Sequence, residues 1–174
     1  MSATVIEIAK VSGEPPAPPS DLEYLPQKFQ MILDRARARG AVESLPYAGG
    51  LRPTEAYELF SAGHAFLVDV RTAEERKFVG LVPGTLHVAW MTGTSMTKNP
   101  RFLRELENKV NKEALVLLLC RSGKRSAAAA EAAAAVGFRN AFNVLEGFEG
   151  DHNERQQRRS IGGWLRSDLP WIQD

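Results

Sequence analysis

The stretch that decides the fold is Ala114-Leu-Val-Leu-Leu-Leu-Cys120, followed by Arg121-Ser-Gly-Lys-Arg-Ser126 and an alanine-rich segment that ends at Gly137. An apolar run of this length, bounded by polar residues, is typical of a buried strand in a parallel sheet. Alanine is the strongest helix former and lets a helix lie close to a sheet, so residues 126–136 predict a helix. The stretch therefore predicts a strand, a polar loop and a helix in succession.

The same alternation extends over the chain from about residue 47 to its end. Other apolar runs of strand length occupy residues 65–70, 86–90 and 141–145. Helix-like segments lie between them, at residues 53–61 and 102–110. Strands separated by helices imply a parallel sheet that is covered on both sides. We therefore predict an α/β fold with a central parallel sheet of about five short strands and helices on both faces.

The first 45 residues follow a different pattern. The prolines of residues 14–20 exclude regular helix and central strand, so we expect residues 1–20 to be a flexible tail that ends in a stiff linker. Residues 21–45 predict a helical extension, because apolar residues recur there at helical spacing up to Gly40, which we expect to end the helix. This extension is expected to pack against the main domain, residues 46–174, with binding of a partner as the alternative.

Composition and charge limit the classes of partner. The chain has 22 Lys and Arg against 21 Asp and Glu, so its net charge of +1 gives no global attraction to nucleic acid or to an anionic membrane. No apolar run approaches the roughly 18 residues of a membrane span, and the start of the sequence does not resemble a signal peptide. We therefore expect a cytoplasmic protein that binds neither nucleic acid nor membrane.

The cysteine and histidine content limits the chemistry. One Cys excludes an intramolecular disulfide and indicates a reducing compartment. The three scattered His residues and this Cys have no spacing typical of a metal site, so no metal or cofactor is expected. His87, inside an apolar run, is interpreted as a core histidine with a satisfied hydrogen bond.

Cys120 is the leading candidate for a catalytic residue because of where it lies. Ligands of α/β sheets bind beyond the carboxyl ends of the strands, and Cys120 ends the strongest strand. The loop amides and the start of the next helix favour an anion there, and Arg121, Lys124 and Arg125 add three positive charges. These surroundings favour the thiolate, which is the nucleophilic form of cysteine.

Four ordered motifs between residues 47 and 174 resemble those of the rhodanese family of single-domain sulfurtransferases. The loop Cys120-Arg-Ser-Gly-Lys-Arg-Ser126 is similar to the family's active-site loop. The other three motifs are Asp69-Val-Arg71 with the following Thr72-Ala-Glu-Glu75; Val79-Gly80, Val82-Pro-Gly84 and His87-Val88; and Glu146-Gly-Phe-Glu-Gly150 with Gly163-Trp164 and Leu169-Pro-Trp171.

The resemblance implies a reaction in two steps. The thiolate of Cys120 takes a sulfur atom from a small anionic donor such as thiosulfate, and an external acceptor then removes this sulfur from the persulfide. The acceptor is cyanide or a cellular thiol, which includes a protein thiol, because a chain with one cysteine has no second thiol to resolve the persulfide.

The loop residues are assigned as the substrate-binding set. They are Arg121, Ser122, Gly123, Lys124, Arg125 and Ser126. We expect the amides of this loop to cradle the anion, with the guanidinium groups of Arg121 and Arg125 as its best ligands and Lys124 as a weaker one. Ser126 is expected either to donate its hydroxyl to the persulfide or to cap the helix.

Asp69 and Arg71 are assigned supporting roles at the end of their strand. Asp69 is expected to bond loop backbone, and Arg71 to pair with Glu74 or Glu75. The arginines of residues 155–159 are expected to form a solvated surface. The alternative hypothesis is that they dock a sulfur acceptor.

Three alternative interpretations of Cys120 remain. The residue could be a buried small hydrophobe without chemistry, or the chain could be a rhodanese-like module that carries sulfur or binds a partner without turnover. The third alternative is a cysteine-dependent phosphatase or arsenate reductase. Such phosphatases place five residues between Cys and Arg, whereas four residues separate Cys120 from Arg125. The shorter loop encloses a smaller anion-binding pocket.

Overall fold

The computed structural model describes residues 22–173, so the expected tail of residues 1–20 lies outside the described residues. After a short 3-10 turn at Leu22–Tyr24, the elements are α1 Gln27–Val42, β1 Gly49–Leu51, α2 Pro53–Ser61, β2 Phe66–Asp69, α3 Ala73–Val79, β3 Leu86–His87, β4 Met91–Thr92, β5 Thr97–Lys98, α4 Phe102–Glu107, β6 Val116–Leu119, α5 Lys124–Ala135 and β7 Ala141–Val144.

Five of the strands form one parallel sheet in the order β1-β7-β6-β2-β3. Strand β6 lies at its centre, so the carboxyl end of β6 is flanked by the ends of β7 and β2. The α/β prediction with a central parallel sheet of five short strands is confirmed. The two-residue strands β4 and β5 pair separately as an antiparallel hairpin, which the apolar pattern did not predict.

Side chains of β6 alternate between two apolar cores, as a strand buried on both sides requires. Leu117 and Leu119 face the core that holds residues of α1 and α2. Val116, Leu118 and the following Cys120 face the other core, which contains residues of α4 and α5. Helices therefore cover both faces of the sheet, and Cys120 extends toward the face that α5 covers.

Helix α1 is a structural part of the fold, since Ile32, Leu33 and Ala36 are buried in the first core. The expectation that Gly40 ends this helix is wrong, because α1 continues to Val42. A Cβ atom on Gly40 would lie 2.9 Å from the Cα atom of Gly49, at the start of β1. Glycine is needed here for the close approach of the helix to a strand.

Among residues 22–173, no helix combines the length and the apolar character that crossing a membrane would need.

Candidate functional site

The thiol of Cys120 lies at the carboxyl end of β6 and is 1% exposed. Its Sγ atom accepts a hydrogen bond from the amide of Gly123 at 3.1 Å, and the hydroxyl of Ser126 lies at the same distance. Gly123 has a φ of +90°, a left-handed conformation that glycine adopts without strain, and it precedes the first residue of α5. The sulfur therefore borders an apolar core and also faces two polar groups, the amide of Gly123 and the hydroxyl of Ser126.

Ser126 does not cap helix α5. The helix begins at Lys124, so Ser126 lies inside the first turn, and the position before the helix is occupied by Gly123. The Ser126 hydroxyl instead contacts Asn143 Oδ1 at 2.6 Å as well as the sulfur of Cys120. Of the two roles predicted for Ser126, the structure contradicts the capping role and places the hydroxyl beside the thiol.

The guanidinium of Arg125 forms a bidentate ion pair with Glu75 of helix α3. Its two terminal nitrogens donate to the carboxylate oxygens at 2.7 and 2.6 Å, and both side chains are mostly buried. Burial alone would raise the pKa of Glu75, but hydrogen bonds from Arg125 and from the Thr72 amide hold this pKa below its ordinary value. Arg125 thus has a fixed position beside the loop, and part of its charge is neutralised by Glu75.

The other two cations of the loop are more exposed. The Nε atom of Arg121 lies 4.0 Å from a carboxylate oxygen of Glu75, and its side chain is 42% exposed. Lys124 is exposed and forms no ion pair with another residue of the described range 22–173. Glu75 is therefore the acidic group on which Arg121 and Arg125 converge.

Asp69 and Arg71 form a buried ion pair below the loop. Arg71 donates to both carboxylate oxygens of Asp69, with the shortest contact at 2.7 Å, and also to the carbonyl of Gly80 at 2.8 Å. The expected pairing of Arg71 with Glu74 or Glu75 is therefore wrong. Arg71 pairs with Asp69 because side chains two residues apart along a strand point to the same face. Glu75 is already bound by Arg125. Asp69 does bond loop backbone as expected, since its Oδ1 accepts the Arg71 amide.

The turn that follows β7 packs against residues 120–126, the active loop. Phe148 donates its amide to the carbonyl of Cys120 at 2.8 Å, and Glu149 donates its amide to the carbonyl of Arg121 at 2.9 Å. The ring of Phe148 also stacks on the buried guanidinium of Arg71, 4.1 Å from its centroid. Backbone geometry at Cys120 is thus fixed by a turn whose position depends on Arg71.

His87 forms the satisfied hydrogen bond that the sequence predicts for it, but it is half-buried and is therefore not a core residue. Its Nε2 atom lies 2.8 Å from the carbonyl of Arg71, so this nitrogen carries the proton. Within residues 22–173 no group of three or more His, Cys, Asp or Glu side chains could hold a metal ion.

Three residues of the site were not identified from the sequence: Glu75, Asn143 and Gly147. Glu75 follows Thr72 by three residues, a spacing that indicates a capping box at the start of α3, and the structure contains that box. Asn143 is the polar residue in an otherwise apolar strand, which is a signal for a buried polar role. Gly147 lies against the backbone of residues 120–122, and only the fold reveals that contact.

Comparison with known proteins defines the class of this fold and site. The family model described as "Rhodanese-like domain" matches residues 52–154. The chain belongs to the rhodanese-like family, as its four motifs predict.

Individual relatives cover most of the chain. The "Uncharacterized protein RP600 homolog" of Rickettsia rickettsii is 36% identical over 124 residues, which are 68% of this chain and 92% of the relative. "Thiosulfate sulfurtransferase 16, chloroplastic" of Arabidopsis thaliana is 33% identical over 119 residues, 67% of this chain and 87% of the relative. The crystal structure of Rv0390 from M. tuberculosis is 40% identical with a TM-score of 0.67, and the match covers 74% of this chain and 99% of that one.

Proposed function

We propose that this protein is a sulfurtransferase that carries sulfur as a persulfide on Cys120. The observation that supports this proposal best is the position of the Cys120 sulfur, which accepts a hydrogen bond from the Gly123 amide at the start of helix α5. A thiolate at this position is stabilised by the amide and by the nearby guanidinium of Arg125. The named thiosulfate sulfurtransferase among the relatives supports the same chemistry.

In the first step the thiolate attacks the outer sulfur of thiosulfate. A bond forms between Sγ and that sulfur, the sulfur–sulfur bond of thiosulfate breaks, and sulfite leaves with the electron pair. The persulfide then carries its negative charge on the outer sulfur, which still lies within the field of the loop cations. Arg121 and Lys124 are the cations most accessible to an incoming dianion, since Arg125 is held by Glu75.

The second step passes the outer sulfur to an external nucleophile and regenerates the thiolate. Cyanide serves as acceptor in an assay, and a cellular thiol is the acceptor we propose in the cytoplasm, where a single reactive thiol stays reduced. A protein acceptor would approach over Arg155 and Arg159, which are exposed, whereas Arg158 is half-buried and donates to the carbonyl of Gly150. Their loop is connected to the site by backbone hydrogen bonds. The amide of Arg159 donates to the carbonyl of Glu149, and the amide of Glu149 donates to the carbonyl of Arg121.

Mass spectrometry of the intact protein tests the proposal. After incubation with thiosulfate and removal of small molecules, the wild type should gain the mass of one sulfur atom, and added cyanide should remove it as thiocyanate. The matched control is Cys120→Ser, which differs by a single atom and should gain no sulfur. Uptake by the Ser variant, or the absence of uptake by the wild type, contradicts the proposal. Hydrolysis of an aryl phosphate by the wild type, absent in Cys120→Ser, would instead indicate a phosphatase.

A further inference from the structure

Asn143 occupies a polar position inside the core, next to the proposed nucleophile. It is 4% exposed and lies between Phe142 and Val144, which face the opposite side of the sheet. Asn143 pairs with Leu118 across the β6–β7 ladder, so it lies on the same face of the sheet as Cys120, which follows two residues later. A buried amide in an apolar strand is costly unless its hydrogen bonds are satisfied, so its partners define what it does.

The hydrogen bonds of Asn143 fix the orientation of its amide. Its Nδ2 atom lies 3.1 Å from the carbonyl oxygen of Gly123, which can only accept, so this atom is the nitrogen. The Oδ1 atom therefore faces Ser126, at 2.6 Å from its hydroxyl oxygen. Because a carbonyl oxygen cannot donate, the hydroxyl of Ser126 is the donor in this short contact.

A hydroxyl has one proton, and two acceptors compete for the proton of Ser126. The sulfur of Cys120 lies 3.1 Å from the Ser126 oxygen, farther than Asn143 Oδ1. When the proton lies toward Asn143, Ser126 presents its lone pairs to the sulfur. A thiol can donate its own proton to those lone pairs, whereas a thiolate cannot donate and loses the hydrogen bond that Ser126 could supply.

We infer that Asn143 is a positioning residue that holds the Ser126 proton away from Cys120 and thereby disfavours the free thiolate relative to the thiol and to the sulfur-loaded form. In the loaded form the negative charge lies on the outer sulfur and Sγ is neutral, so Sγ no longer needs that proton. This inference deepens the proposed function and rests on the Cys120 thiolate being the attacking group there.

Several charged and titratable groups also face this part of the site. They are Arg121, Lys124 and Arg125 of the active loop and α5, Glu75 of α3, Asp69 and Arg71 at the end of β2, and Tyr47 ahead of β1, whose hydroxyl forms a hydrogen bond with the side chain of Asn143. Substitution of Asn143 by an uncharged residue leaves all of these groups in the chain. A change in the thiolate population can then be assigned to Asn143 by comparison within one series of variants.

The experiment measures the thiolate directly and does not use turnover. The rate of iodoacetamide alkylation and the ultraviolet absorbance of the thiolate are followed against pH, with Cys120→Ser as the blank. In Asn143→Ala we expect the midpoint of the titration to move to lower pH, and alkylation on the acid side of the wild-type midpoint to be about threefold to tenfold faster, the effect of one released hydrogen bond. In Asn143→Asp, whose carboxylate is a stronger acceptor and adds negative charge, the midpoint should move to higher pH.

A double-mutant cycle separates this role from a purely structural one. In the Ser126→Ala background there is no proton to compete for, so Asn143→Ala should change the midpoint little or not at all. An equal shift in both backgrounds would show that Asn143 acts through the carbonyl of Gly123 or through Tyr47, and not through Ser126, and it would overturn the inference. A midpoint that is unchanged or higher in Asn143→Ala overturns it as well.

Circular dichroism and thermal unfolding establish that each variant is folded. If the Ala variant does not fold, Asn143→Asp is compared in the wild-type and Ser126→Ala backgrounds, because the added charge alone raises the midpoint in both. A shift of equal size in the two backgrounds, or a shift to lower pH, contradicts the inference. Failure of the wild type to take up sulfur from thiosulfate would contradict the proposed function but would leave these titrations interpretable.

Discussion

Arg125 and Glu75 lie fifty residues apart in sequence and meet in a bidentate ion pair, with nitrogen–oxygen distances of 2.7 and 2.6 Å. The pair joins the start of helix α5, which carries the active loop, to the start of helix α3. Glu75 also accepts the amide of Thr72 and so closes the capping box of α3. A single carboxylate therefore fixes both the end of a helix and a cation of the site.

Removal of the carboxylate should destabilise the protein. Glu75→Gln leaves the guanidinium of Arg125 without its charged partner, and we expect a loss of about 2 kcal/mol in the free energy of unfolding, less than the 3–5 kcal/mol of a fully buried pair because both side chains keep some exposure. Glu58→Gln is the matched control. It breaks an exposed pair with Lys28 and should cost less than about 1 kcal/mol. Urea denaturation measures both, and equal losses would contradict the prediction.

The same ion pair predicts a dependence of stability on acid pH. The pKa of Glu75 is lower in the folded chain than its ordinary value of 4.5, so the unfolded chain binds protons at a higher pH than the folded chain does. The stabilisation is complete above that ordinary value and decreases as the pH falls through the folded-state pKa. Between about pH 5 and pH 3, wild type should lose more stability than Glu75→Gln does. Parallel unfolding curves over this interval would show that Glu75 is not responsible.

Gly147 offers a test of how firmly the turn after β7 supports the active loop. A Cβ atom on Gly147 would lie 2.6 Å from backbone atoms of Cys120, Arg121 and Ser122, and backbone cannot move aside as a flexible side chain does. Gly147→Ala should therefore displace the loop and slow sulfur uptake from thiosulfate by at least about tenfold, which corresponds to an increase of roughly 1.4 kcal/mol in the activation free energy.

The control for this substitution is Gly63→Ala. Gly63 has a φ of +75°, close to the +65° of Gly147, but nothing lies within 4 Å of the position of its added Cβ atom. The two variants share the strain of a left-handed alanine and differ in the contact with the loop. Comparable uptake rates in both would mean that the loop does not depend on this contact.

The parts of this structure that the sequence predicts are those that depend on local pattern. The run from Ala114 to Cys120 is apolar on both sides, which a strand between two helical layers requires, and the following alanines form helix α5 as expected. The place of Cys120 at the end of that strand follows from the same pattern. These features need no knowledge of distant residues.

The parts that escaped prediction depend on contacts between distant segments. Gly40 has the sequence signature of a helix end, but it lies inside α1. A glycine is needed at this position because β1 approaches the helix closely there. Arg71 has three carboxylates within four residues in sequence, at Asp69, Glu74 and Glu75, and it pairs with Asp69 while Arg125 of helix α5 binds Glu75. Local spacing cannot distinguish such partners, since the choice is made by tertiary packing.

The relative importance of the loop cations follows from the ion pair of Arg125. Arg125→Ala removes a cation beside the sulfur and also leaves the carboxylate of Glu75 uncompensated there, so both changes disfavour the thiolate and the anionic donor. We expect sulfur uptake from thiosulfate to slow by at least about tenfold, against less than about threefold for Lys124→Ala, which removes an exposed and screened charge. The double variant Arg125→Ala/Glu75→Gln removes the unpaired carboxylate as well and should recover part of the rate. Rates of persulfide formation, followed by intact mass, test the order of the three variants. Equal losses in the two single variants, or a double variant slower than Arg125→Ala, would show that the charge of Glu75 is not what Arg125 compensates.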